Sequence, residues 1–177
     1  SGVLYGGQAL DTGMESLKTL VLCEGEINAA SIWQVAHDSH VEVLSVGSES
    51  AKLTDAMIAY AGQYRSIIVW MDKREVAAKL REQLPPRTLA VASPEGRDAN
   101  DLLRVGKLGA FLTAVRVRAC GNDTHAREGL LWDLVDMARL PMGIDAGTAA
   151  AAVKLAGELG KSVRLEACPD GQWRAGE

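Results

Sequence analysis

The sequence predicts an α/β fold: a mostly parallel sheet flanked by helices, followed by a small C-terminal α+β appendage. Three observations predict it. Short apolar runs recur, and several end at a glycine or an acidic residue. Between them lie stretches whose apolar residues repeat at helical spacing. Near Gly121 the alternation stops and helical stripes take over. Strands alternating with helices imply right-handed βαβ crossovers and a sheet buried on both faces.

The elements follow in order. Residues 1–18, with four glycines, read as a lead-in. Thr19 to Cys23 is an apolar strand ending at Glu24-Gly25-Glu26, and Ala29 to Ala36 reads as helix. Val41 to Val46 is a second strand, closed by Gly47. Leu53, Met57, Tyr60, Ala61 and Tyr64 then mark an amphipathic helix. Ser66 to Met71 is a third strand ending at Asp72. Val76, Ala77, Leu80 and Leu84 mark the next helix, which Pro85-Pro86 terminates. Thr88 to Ala92 is a fourth strand, and a helix opens near Asp98 after the loop Ser93 to Arg97. Beyond the expected boundary at Gly121-Asn122-Asp123, Leu130 to Ala138 carry one helical stripe, stopped by Pro141. Asp145 caps an alanine-rich helix running to Gly160, Ser162 to Ala167 is a strand, and Pro169-Asp170-Gly171 a turn.

Composition narrows the function. The chain has 177 residues, 47% of them hydrophobic, enough for a packed core and against wholesale disorder. No apolar run approaches the roughly 18 residues of a membrane helix. The first residues lack the charge and apolar pattern of a signal peptide, so a cytoplasmic protein with no membrane contact is expected. A net charge of −4 argues against a basic coat for unspecific DNA binding, yet suits a site that holds phosphates through metal ions. Cys23, Cys120 and Cys168 are widely spaced and form no CxxC pair, so buried thiols are expected rather than a zinc ribbon or disulfides.

The chemistry gathers at one place. In an open parallel sheet, ligands bind outside the carboxyl ends of the strands. Glu24, Asp72 and Asp98 fall there, after the first, third and fourth strands. Carboxylates converging from different loops suit Mg²⁺, which keeps waters and substrate phosphates in its remaining positions. Gly25 allows a tight backbone turn, and Glu26 adds a second acid or a general base. Read singly, each acid is more often a helix cap or a solvated loop residue, and Asp98 and Asp72 are both well placed to cap. Their conjunction at one sheet edge is what points to a site.

Leu20 to Ser31, with Glu24-Gly25-Glu26-Ile27-Asn28-Ala29 at its centre, resembles the first motif of primase-type Toprim domains. Ile67 to Arg74 occupies the place of that family's apolar strand ending in Asp-x-Asp. Glu95-Gly96-Arg97-Asp98-Ala99-Asn100-Asp101-Leu102-Leu103 is similar to its Gly-Lys-Asp-Ala-Asn-Asp-Leu-Leu segment. The resemblance implies a Toprim domain over residues 19–120, followed by a small region over 121–177. It implies Glu24 as general base or metal ligand, with Asp72 and Asp98 holding Mg²⁺ or Mn²⁺. It also implies primer synthesis from ribonucleotides on single-stranded DNA, alongside a helicase or another replication protein. The family's zinc-binding and N-terminal catalytic subdomains are expected outside these residues, the chain being either a fragment of a larger protein or one that works with partners, and primer synthesis by it alone is not expected.

The sequence departs from the family pattern at two acids. Arg74, preceded by Lys73, stands at the second Asp of Asp-x-Asp, and Asn28 at the Asp of the first motif. A cation beside a metal site opposes metal binding. Either Arg74 contacts a phosphate in place of a lost metal, or the module is a nucleic-acid or protein-binding scaffold without catalysis. A Toprim nuclease is a further alternative on family breadth. Lys73, Arg74, Arg97, Arg104 and Lys107 are the candidate phosphate contacts, each also readable as ordinary surface. His37 and His40 have helical spacing but no third ligand nearby, Trp70 reads as core, and Trp173 beside Arg174 as an exposed contact.

Overall fold

The computed structural model describes residues 19–36, 40–48 and 52–176. Contacts divide the chain into two compact units, one up to Val105 and one from Gly106. This division falls ahead of Gly121, which instead forms the positive-φ turn between two helices of the second unit.

The first unit is a parallel sheet flanked by helices. Its strands are β1 (Thr19–Cys23), β2 (Val41–Ser45), β3 (Ser66–Met71) and β4 (Thr88–Ala92). The helices are α1 (Glu26–Ala36), α2 (Asp55–Ala61), α3 (Arg74–Arg81) and α4 (Ala99–Arg104). All four strands are parallel, in the order β2-β1-β3-β4. The arrangement is compatible with the fold that the sequence suggests. Helix α1 begins ahead of the expected Ala29, because Gly25 turns the chain at φ +72° and its carbonyl accepts from the Ala29 amide.

Strand alternation sorts the core. Leu20, Leu22, Ile67, Val69 and Met71 share one face and pack against Met57 and Ala61 of α2 and Ala77 and Leu80 of α3. Their neighbours Val21, Ile68 and Trp70, also buried, belong by the same alternation to the opposite face. Helix α1 contacts β1 and β2, and α4 packs on α1. Near-continuous burial along β1 and β3 is what a sheet covered on both faces requires. At the β2 edge, the Tyr60 and Tyr64 hydroxyls both donate to Glu42, tying α2 and the residues after it to the strand.

The second unit contains α5 (Leu108–Cys120), α6 (Thr124–Arg139), α7 (Ala146–Glu158) and an antiparallel hairpin of β5 (Leu165–Ala167) and β6 (Trp173–Ala175). Asp123 and Asp145 cap α6 and α7, accepting from the Ala126 and Thr148 amides at 3.0 Å each. Leu130, Leu131, Leu134 and Val135 pack against Ala152, Leu155 and Ala156. Helices α5 and α7 approach closely at their amino ends: a β-carbon added at Gly147 would stand 2.5 Å from that of Ala110.

Candidate functional site

Strand order creates the site. The chain runs from β1 outwards to β2, then returns past β1 to lay down β3 on its other side. The carboxyl ends of β1 and β3 therefore flank a topological switch point, where open α/β sheets leave a crevice. Glu24 follows β1 and Asp72 follows β3, so two carboxylates leave neighbouring strands at this position. Glu24 is half-buried, with Oε2 shielded from solvent, whereas the Asp72 side chain is exposed. Beside Glu24, a β-carbon built on Gly25 meets nothing within 4 Å. Glu26 is exposed at the head of α1.

The Cys23 thiol senses both carboxylates. Burial at the end of β1 pushes its pKa up to about 12, and the negative charges of Asp72 and Glu24 add to the rise. The thiol donates a long contact to the Leu44 carbonyl at 3.8 Å. Cys23 is thus a protonated, buried group and no nucleophile at neutral pH.

Asp72 is held from β4. Ser93, directly after β4, donates its hydroxyl to Asp72 Oδ1 at 3.2 Å. The same hydroxyl accepts from the Trp70 indole Nε1 at 3.0 Å, and the Ser93 amide donates to the Met71 carbonyl at 3.1 Å. Sequence reasoning found Trp70 as core and missed Ser93 altogether. A serine after a strand carries no signal of its own; only the β3–β4 register, which pairs Met71 with Ala92, brings Ser93 opposite Asp72. Asp72 does not cap α3, whose N-cap is Lys73 with no side-chain capping bond.

Asp98 is engaged in local structure. Its Oδ1 accepts from the Asp101 amide at 2.8 Å and caps α4. Asn28 is engaged likewise: its Oδ1 accepts from the Asn100 amide at 3.3 Å, while Ser31 donates to the Ile27 carbonyl at 2.9 Å and lies 3.5 Å from Asn100 Oδ1. The first and third sequence motifs meet through these contacts between α1 and α4. The loop joining β4 to α4 turns through two left-handed residues, Glu95 at φ 55° and Gly96 at φ 69°.

Lys73, Arg74, Arg97 and Arg104 are all exposed on this unit, and Lys107 is exposed on the second. Among the described residues, no three His, Cys, Asp or Glu side chains form a group that would hold a metal ion. The structure thus brings Glu24 and Asp72 to neighbouring strand ends and commits one oxygen of Asp98 to a cap. His40 is exposed, and His37 lies outside the described residues.

Trp173 is a correction. It is half-buried in β6 and packs on the cluster of Ala138, Ile144 and Ala149, with backbone hydrogen bonds to Ile144 in both directions. Arg174 beside it donates to the Pro141 carbonyl and to Asp170. The hairpin turns this tryptophan onto the unit's own core rather than outwards. Among the described residues, no helix is long and apolar enough to cross a membrane. No family model, curated protein or solved structure matches the chain.

Proposed function

We propose that the sheet unit is a Toprim domain of the primase type, acting in DNA replication by nucleotidyl transfer on single-stranded nucleic acid with Mg²⁺ or Mn²⁺. The observation that carries this reading is the pairing of Glu24 and Asp72 at the β1–β3 switch point, with the Asp98–Asn100 segment joined to α1 beside it. The donor set suits a hard cation bound by two carboxylates, with water and substrate phosphate in the other positions. When bound, such an ion neutralises phosphate charge and polarises the transferring group. Glu24 takes the proton of the attacking hydroxyl onto a carboxylate oxygen, from its half-buried position at the end of β1. Asp72 binds the cation, Asp98 adds its second oxygen, and Glu26 is the substitute acid. Lys73, Arg74, Arg97 and Arg104 meet backbone phosphates of a single-stranded DNA template or of ribonucleotides through charge-assisted hydrogen bonds. A helicase or another replication protein is the partner expected to act with the domain.

Calorimetric titration of the full chain with Mn²⁺, paired with primer synthesis on a single-stranded template, tests the reading. Wild type binds Mn²⁺, Asp72→Ala loses binding, and Glu24→Ala loses synthesis while keeping the fold. Primer synthesis that persists in Glu24→Ala removes the catalytic assignment. A second reading, a binding module without catalysis, is favoured by Arg74 opening α3 where an acid is expected and by the capping role of Asp98. Mn²⁺ binding absent in wild type but gained in Arg74→Asp would select it.

A further inference from the structure

We propose that Ser93 is a positioning residue for Asp72, and that the Trp70 indole sets it through a two-bond relay running from the sheet core to the carboxylate. The inference rests on the metal-binding reading of Asp72 for its consequence, but not for its geometry. Asp72 leaves β3 as an exposed side chain, for which several staggered rotamers are open unless a partner selects one. Ser93 supplies the hold. Its backbone is anchored because its amide donates to the carbonyl of Met71, the residue just before Asp72.

A serine hydroxyl rotates to suit its surroundings and points either way. Here the Trp70 Nε1–H, 3.0 Å away, can only donate. The indole therefore occupies a lone pair of Ser93 Oγ and leaves the hydroxyl hydrogen for Asp72 Oδ1, 3.2 Å away. Trp70 itself is 3% exposed and pairs in register with Cys23 of β1 and Val91 of β4, so the relay's origin is fixed by the sheet. Trp70 and Asp72, two apart on one strand line, face the same side, and Ser93 bridges them from the neighbouring strand. An apolar aromatic at position 70 would fill the same space but leave the serine hydroxyl undirected.

Partners that orient a metal ligand are each worth about 10- to 100-fold in metal affinity. Ser93→Ala is therefore expected to weaken Mn²⁺ binding by about tenfold, with Ser93→Thr, which keeps the hydroxyl, restoring it. The relay is read separately, without metal, from the Trp70 indole N–H resonance of the ¹⁵N-labelled full chain, assigned by its loss in Trp70→Phe. Asp72→Asn is expected to move that resonance in the Ser93 protein, and to leave it in place when Ser93→Ala is already present. An indole resonance that ignores Asp72→Asn in the Ser93 protein overturns the relay. Ser93→Ala binding Mn²⁺ as tightly as wild type overturns the positioning role. Wild type that binds no Mn²⁺ removes the metal reading instead, and the indole measurement still decides the relay.

Discussion

Arg116 on α5 and Asp133 on α6 form a buried ion pair, each side chain 6% exposed, with the Arg116 guanidinium donating to the carboxylate through Nη2. Arg116 Nε is also buried and has no hydrogen-bond partner among the described residues. Removing one member leaves an uncompensated charge inside the helical unit, which costs about 3–5 kcal/mol. The orphaned Nε already carries a desolvation cost of about 1–3 kcal/mol in the intact protein. Replacing both members by apolar residues of similar length relieves both terms, so Arg116→Met with Asp133→Leu is expected to be neutral or to stabilise by about 1–4 kcal/mol. Because the chain has two units, a single global transition is a poor readout. The assay is urea denaturation followed by hydrogen exchange in peptides from α5 and α6, which reports local opening of this unit. Arg116→Ala and Asp133→Ala should each lower the urea midpoint with an unchanged slope, and the double replacement should restore it. A double variant that loses the sum of the two single losses would refute the reasoning, since independent sites add and members of one pair do not.

Three further expectations follow from the site. The Cys23 thiol has a pKa of about 12 in the fold against an ordinary value of 9.0. Its stabilising effect is fully present below about pH 9 and is lost as pH rises towards 12, up to about 4 kcal/mol in all at 1.36 kcal/mol per unit. Urea midpoints of wild type should fall faster across that window than those of Cys23→Ala; parallel curves would contradict the shift. Glu95→Gly should stabilise by about 1 kcal/mol because φ 55° strains a residue with a β-carbon, whereas Glu95→Val should destabilise by more, both read from thermal midpoints. Asp98→Ala should cost about 1 kcal/mol through the lost α4 cap, and Asp98→Ser should recover it. Mn²⁺ affinity measured in Asp98→Ser separates capping from metal binding.

Much of the sheet unit was legible. Thr19–Cys23, Ser66–Met71 and Thr88–Ala92 form strands with the expected limits; β1 and β3, buried on both faces, read as unbroken apolar runs, and β4 is a partly buried edge strand. The capping roles of Asp98 and Asp145 were legible because a short acid before a helical stripe has one favoured local bond. Helix α1 started before its stripe did, since Gly25, not periodicity, decides where the chain turns. The contact division falls at Gly106 rather than at Gly121 because α5 packs on α6 and α7, and which neighbours a helix joins is a matter of tertiary packing. Glu24 and Asp72 stood out through their strand-end positions. Ser93 and Trp173 did not, because their roles depend on register and on a hairpin that reaches back to Ile144.

The strand order also constrains how the chain assembles. Strand β1 precedes the other described strands in the chain, yet it lies inside the sheet and needs β3 to complete its second edge. Closing that edge brings Thr19 against Ser66, so a long intervening segment must be organised before β1 gains its full set of partners. Local contacts form faster than distant strand pairing. Until β3 docks, β1 is an apolar strand with an open edge, and this is where a chaperone or a misdirected second chain would compete for it.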